Sequence, residues 1–221
     1  MSAVDTPGPG YQILSIDDLD RLPTTAGTQI LRPLRRRLGF RPFGLNVWVG
    51  AHEGDHVIEA HRERNGAEEL YVVLRGTARF TLGADSFDAP AGTLVHALPG
   101  TFREATAAEA ETTVLAMGAE PGKAFNPSPW EDFYVAYAQL RAGNPGEGRI
   151  AMHAALERDP VAWQGPYNAA CFEALAGEVD AALDYLRQAV ERDPGEVKQY
   201  APGDSDLDSI RSDPRYTELL A

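Results

Sequence analysis

The side chains in this chain that could do chemistry are few: five histidines, one cysteine and a scatter of carboxylates and guanidinium groups. His61 stands close to Glu63 and Glu69, and an imidazole beside carboxylates can exchange protons or share a divalent ion. Arg103 is a fixed cation, suited to pairing with a carboxylate or phosphate. His96 lies between these groups in sequence, on a short apolar stretch. His52 and His56 flank Gly54 and Asp55, residues that favour turns, so both read as exposed loop histidines. Cys171 has no base or cation near it in sequence and reads as buried packing rather than as a nucleophile. His153 lacks a partner and reads as surface. No GxGxxG after a strand, no GxxxxGKS/T and no GxSxG occurs, which removes nucleotide-dependent and serine-hydrolase chemistry.

These groups sit in a chain of 221 residues with 20 Lys and Arg against 33 Asp and Glu, a net charge of −13. Such an excess repels phosphate backbones and anionic bilayers, so neither nucleic acid nor membrane is an expected partner. The basic run Arg35-Arg36-Arg37 reads as a solvated strand face or a subunit contact. A single cysteine excludes a disulfide scaffold and any CxxC motif. The start, MSAVDTPGPGYQ, has neither a basic nor an apolar signal region, and no apolar run reaches membrane-spanning length; a cytoplasmic location is expected.

Two kinds of element must position the candidate residues. Before residue 128 there are 12 basic and 16 acidic residues, and short apolar runs rich in β-branched and aromatic residues alternate with turns. Strands are expected at 44–49, 69–74, 77–82, 93–98 and 112–117, as in a sandwich or barrel. Several are apolar on both faces, which asks for cover from a neighbouring sheet or a partner subunit. Ser15 or Asp17 caps a helical turn ahead of them. Tyr71 shares the parity of Glu69, and both Tyr71 and Trp48 read as pocket lining or barrel core. The Pro and Gly between Glu120 and Pro129 form a linker.

After the linker the period becomes helical and repeats. Ala-Leu-Glu-Arg-Asp-Pro at 155–160 returns as Ala-Val-Glu-Arg-Asp-Pro at 189–194, and Ala142-Gly143 returns as Ala176-Gly177 at the same offset. This pattern resembles the tetratricopeptide helix hairpin. Gly148 stands where that family usually has Ala. Residues 206–216 read as one more helix closing the stack, and Glu173, Glu178, Asp180 and Asp184 as its wet face. Two copies are few for a free-standing array, so support from the β domain or another subunit is expected.

The stretches His61-Arg62-Glu63 with Glu68 to Ala78, and Ala89 to Arg103, resemble the two conserved motifs of cupins. The resemblance implies a double-stranded β-helix, the jelly roll, over residues 42–120. An extension over 1–41 packs on the barrel or adds strands to it, a linker spans 121–129, and tetratricopeptide-like repeats fill 130–221. It also implies a ligand or metal pocket inside the barrel. Of the metal-binding pattern, His61 and Glu69 are present, while Glu63 stands at the second His position and Arg103 at the last. The pocket candidates are therefore His61, Glu63, Glu69, Tyr71, His96 and Arg103. His61, Glu63 and Glu69, with His96 if it points inward, could hold Fe, Mn, Ni or Zn; a metal-free pocket anchored on Arg103 is the other reading. Expected functions are a small-molecule, possibly anionic-ligand, binding protein with a partly degenerate metal site and a helical interaction region, a metal-dependent oxygenase or isomerase, or a structural dimerisation module. A small-molecule ligand, a homodimer and a protein partner on the repeats are the expected partners.

Overall fold

The computed structural model describes residues 6–8, 11–25, 27–63, 66–125 and 129–221, and the chain divides into two units, 1–127 and 128–221. In the first unit the strands are β1 (Thr6–Gly8), β2 (Tyr11–Ile13), β3 (Leu22–Pro23), β4 (Gln29–Arg32), β5 (Gly44–Gly50), β6 (His56–His61), β7 (Glu68–Arg75), β8 (Thr77–Leu82), β9 (Asp85–Pro90), β10 (Leu94–Ala97), β11 (Arg103–Ala107) and β12 (Thr112–Ala119). β1 and β2 pair with each other. The rest form two antiparallel sheets, β10-β7-β12-β5-β4-β3 and β6-β11-β8-β9. From β5 onward the chain visits the first sheet, then the second, first, second, second, first, second and first. That is the strand order of an eight-stranded, double-sheet jelly roll, with β4 and β3 added at the β5 edge.

Inward-facing side chains from both sheets make one core: Val57, Tyr71, Val73, Phe80, Val95 and Val114, with alanines at 78, 89, 97, 105 and 107. The alanines let the sheets close. Gly50 is needed for the same reason, since a Cβ there would lie 2.6 Å from that of Ala107. Gly76 makes the β7–β8 turn at φ +66°, a conformation that disfavours other residues.

The outer face of the larger sheet is also apolar, and its cover comes from the chain itself. Val47 and Val49 pack with Leu19 and Leu34, flanked by Leu14, Ile16 and Leu38 of the N-terminal stretch. A 3-10 turn over Ile16–Asp18, capped by Ser15, is held there by Arg75, which grips Asp17 with two hydrogen bonds, and by buried Arg32, whose Nη1 donates to the Ile16 carbonyl at 2.6 Å. The run Arg35-Arg36-Arg37 is not a strand face: it lies in helix α1 (Leu34–Leu38), with Arg35 buried.

In the second unit the helices are α2 (Trp130–Arg141), α3 (Pro145–Arg158), α4 (Gln164–Leu175), α5 (Val179–Arg192), α6 (Pro194–Tyr200) and α7 (Pro214–Leu220). α2 packs on α3 and α4 on α5, and the second pair repeats the first 34 residues on at every boundary. Gly143 and Gly177 make the turns at φ +81° and +83°, and Asp159 and Asp193 end the second helices with N–H groups donating to Ala155 and Ala189. Gly148 is explained by crowding, because a Cβ there would come within 2.6 Å of the Phe172 ring. Two expectations change. Glu173 is not on the wet face but buried, gripped by Arg149 of α3 in a forked pair whose shortest contact is 2.8 Å. The final segment is a 3-10 stretch, Ser205–Ile210, followed by α7 rather than one helix. Among the described residues no helix is long and apolar enough to cross a membrane.

Candidate functional site

The sheet pairing brings the candidate residues together. β11 pairs with β6 so that Arg103 lies opposite His61, and with β8 so that Arg103 lies opposite Leu82. Glu69 and Tyr71 come from β7 in the other sheet, and Tyr71 belongs to the core between the sheets. Glu63 follows β6 directly.

Glu69 is the hub. Its Oε2 accepts from the Tyr71 hydroxyl at 2.5 Å and lies 3.4 Å from His61 Nε2 and 3.3 Å from Arg103 Nε. His61 Nε2 is also 3.7 Å from Glu63 Oε1. On the far side of the ring, His61 Nδ1 donates to the Glu59 carbonyl at 2.7 Å, which fixes that nitrogen as protonated because a carbonyl can only accept. Arg103 Nη2 donates to the Leu98 carbonyl at 3.1 Å, while Nη1 and Nε have no hydrogen-bond partner among the described residues. Exposure is graded across the set: the Arg103 side chain is 0% exposed, Glu69 16%, Glu63 24% and His61 35%. The site is therefore approached from the His61 and Glu63 side, with the guanidinium at its floor.

Each charge holds the others. Burial works against ionised Glu69, but the hydrogen bonds from His61 and Tyr71 and the charges of His61 and Arg103 outweigh it, so its carboxyl lies below the ordinary range. Burial likewise works against a charged His61, and the Glu69 and Glu59 hydrogen bonds with the Glu63 charge reverse the sign, so its imidazole lies above the ordinary range. Burial and the Glu69 charge push the Tyr71 phenol up, leaving it a permanent donor. With His61 protonated, two cations face two carboxylates and the set is closed in charge.

Whether a metal fits can be read from the same atoms. His61, Glu63 and Glu69 each offer a ligand atom, all within 4.8 Å of one another. Those three donors suit a divalent ion. The fourth member does not: the buried guanidinium of Arg103 contributes a charge of the ion's own sign at the oxygen an ion would use, with no route to solvent for that charge. With Arg103 in place, the four residues do not fit a resident dication.

The other candidates lie elsewhere. His96 faces outward on β10, where buried Val95 and Ala97 take the inner face; it is over half exposed and meets Glu68 at 3.3 Å, so it is not part of the cluster. His52 is exposed in a turn, whereas His56 opens β6 and pairs with Glu104 at 2.9 Å. Trp48 packs at the edge of the core between the sheets. Cys171 is buried, with Asp204 as its acceptor at 3.7 Å. The carbonyls of Glu59 and Leu98, which orient His61 and Arg103, carry no sequence signal.

No protein-family model and no curated protein matches the sequence. Among solved structures, an RmlC-like cupin protein from Desulfovibrio desulfuricans is 24% identical, with 35% of this chain and 72% of that one covered at a TM-score of 0.32. A sugar phosphate isomerase of the cupin superfamily from Silicibacter pomeroyi is 16% identical, with 49% and 75% covered and a TM-score of 0.42. A predicted oxalate decarboxylase from Thermotoga maritima is 13% identical, with 49% and 98% covered and a TM-score of 0.39. The jelly-roll assignment itself rests on the strand order and register given above.

Proposed function

We propose that the β unit is a metal-independent, cupin-type binding site for a small hydroxylated carboxylate, and that the helical unit is a tetratricopeptide-like interaction region. The observation that carries the first part is the buried guanidinium of Arg103, whose Nε is ion-paired with Glu69 at 3.3 Å but whose Nη1 has no hydrogen-bond partner among the described residues, while the carboxylates beside it are partly open to solvent. A buried charged donor without an acceptor is costly, and a ligand oxygen entering from the His61 side relieves that cost. Glu63 and Glu69 are then the acceptors for ligand hydroxyls. A thermal-shift panel of gluconate and glycolate, with acetate and glucose as probes lacking one function each, tests this. The hydroxy acids are expected to raise the melting temperature of the wild type and not of His61→Ala, and no shift from either would sink the reading.

The helical reading is supported by the 34-residue offset between the boundaries of the two helix pairs. A homodimer belongs to the same proposal, supported by Leu94 and Leu98, which are more than half exposed along one sheet edge. Sedimentation is expected to give the dimer mass at micromolar concentration; a monomer at every concentration would refute it.

A further inference from the structure

His61, Glu63 and Glu69 form an arrangement that lacks only the cation. Their ligand atoms lie within 4.8 Å of one another, and the two gaps of 3.4 and 3.7 Å from His61 Nε2 are separations that donors about 2.0–2.2 Å from one ion can span. The Nδ1–H donation to the Glu59 carbonyl at 2.7 Å is the orienting contact that metal-ligating imidazoles use to turn Nε2 toward an ion. What stands beside this set is Arg103, fully buried, with Nε 3.3 Å from Glu69 Oε2 and no hydrogen-bond partner for Nε or Nη1 among the described residues.

We infer that Arg103 is a built-in cation that takes the place of a divalent metal, and that it keeps an otherwise complete three-ligand set metal-free. The reasoning is electrostatic. Two carboxylates drawn together in a partly buried site need compensating positive charge, which either an ion or a guanidinium can supply. Arg103 is held in place by its hydrogen bond to the Leu98 carbonyl, so the compensating guanidinium is a fixed part of the site. A dication added to the occupied site would meet that charge across a low-dielectric gap. Removing the charge while keeping the strand should uncover a metal site. The inference rests on the same cluster as the binding proposal, yet it is read by a different observable: failure to bind hydroxy acids would leave it standing.

The test is a calorimetric titration of Zn²⁺ and Mn²⁺ into chelator-stripped wild type, Arg103→Gln and Arg103→Lys, each checked for native circular dichroism. Arg103→Gln is expected to take up one equivalent at least about tenfold more tightly than the wild type, with the gain lost when His61→Ala is added, because even a small part of the guanidinium repulsion exceeds a tenfold change. Arg103→Lys, which keeps the charge, is expected to behave as the wild type. A folded Arg103→Gln protein with no gain would overturn the inference. So would a wild type that binds one equivalent through His61, shown by loss in His61→Ala, and that result needs no Arg103 variant to fold.

Discussion

Tyr71→Phe removes one oxygen atom from the centre of the site and leaves the rest of the side chain in place. The ring is 1% exposed and packs 5.7 Å from Phe80, contacts that Phe retains. What is lost is the 2.5 Å hydrogen bond to ionised Glu69, and a hydrogen bond to a charged group contributes about 1.5–3 kcal/mol. The pH dependence gives the effect its signature. Glu69 has a folded-state carboxyl below its ordinary value, so it stabilises the protein above the unfolded carboxylate pKa, and that contribution disappears as pH falls through the lowered folded value. Without the phenol the depression is smaller. The wild type should therefore exceed Tyr71→Phe by about 1.5–3 kcal/mol at pH 7, with the difference narrowing as pH falls below about 4. Urea unfolding followed by the Trp48 indole resonance reads the β unit alone, which matters in a chain of two units. A difference under about 0.5 kcal/mol at pH 7, or one that does not change with pH, would show that the hydroxyl does not stabilise ionised Glu69.

Gly146 and Gly148 lie in the same helix and should respond to Ala with opposite signs. Nothing lies within 4 Å of a Cβ at Gly146, so Gly146→Ala should stabilise by about 0.5–1 kcal/mol, whereas Gly148→Ala drives into Phe172 and should cost about 1 kcal/mol net; melting curves decide. Arg149→Ala leaves the buried Glu173 carboxylate without its forked partner and should cost about 2–4 kcal/mol in denaturant titrations, most of it recovered by adding Glu173→Gln; no recovery would show that Arg149 acts by packing alone. His61, with its imidazole held above the ordinary range, stabilises the fold below the unfolded histidine pKa, and that contribution fades as pH rises through the folded value. A histidine proton resonance titrating at or below about 6.5 would contradict that sign.

The legible part of the fold was the part written in side-chain period. The five apolar strands fall close to their expected places because alternation and β-branching survive in them, as in Thr77–Leu82. β6, β9 and β11 carry no such period: Asp85–Pro90 is nearly all exposed, and Arg103–Ala107 looks polar because its inward positions are alanines and one arginine. The cover on the outer sheet face comes from the N-terminal stretch, which reads in sequence as an extension packing on the barrel or adding strands to it; the individual leucines that make the contact are too scattered to show a period. At the site, the proximity of His61, Glu63 and Glu69 was readable from the motif around them. The burial of Arg103 was not, because an arginine in a sequence reads as surface until the strand register turns it inward. His96 is the converse case, a histidine whose strand parity could be counted but whose inner face could not be chosen without the sheet.

The most direct test of the account is a calorimetric titration of gluconate into chelator-treated protein, run beside Glu63→Gln and Arg103→Lys. Binding is expected to survive removal of divalent metal and to weaken at least about tenfold in both variants, since each removes a partner the ligand needs in a partly buried site. Binding that vanishes with the chelator and returns with added metal would contradict it, and so would binding that neither substitution changes.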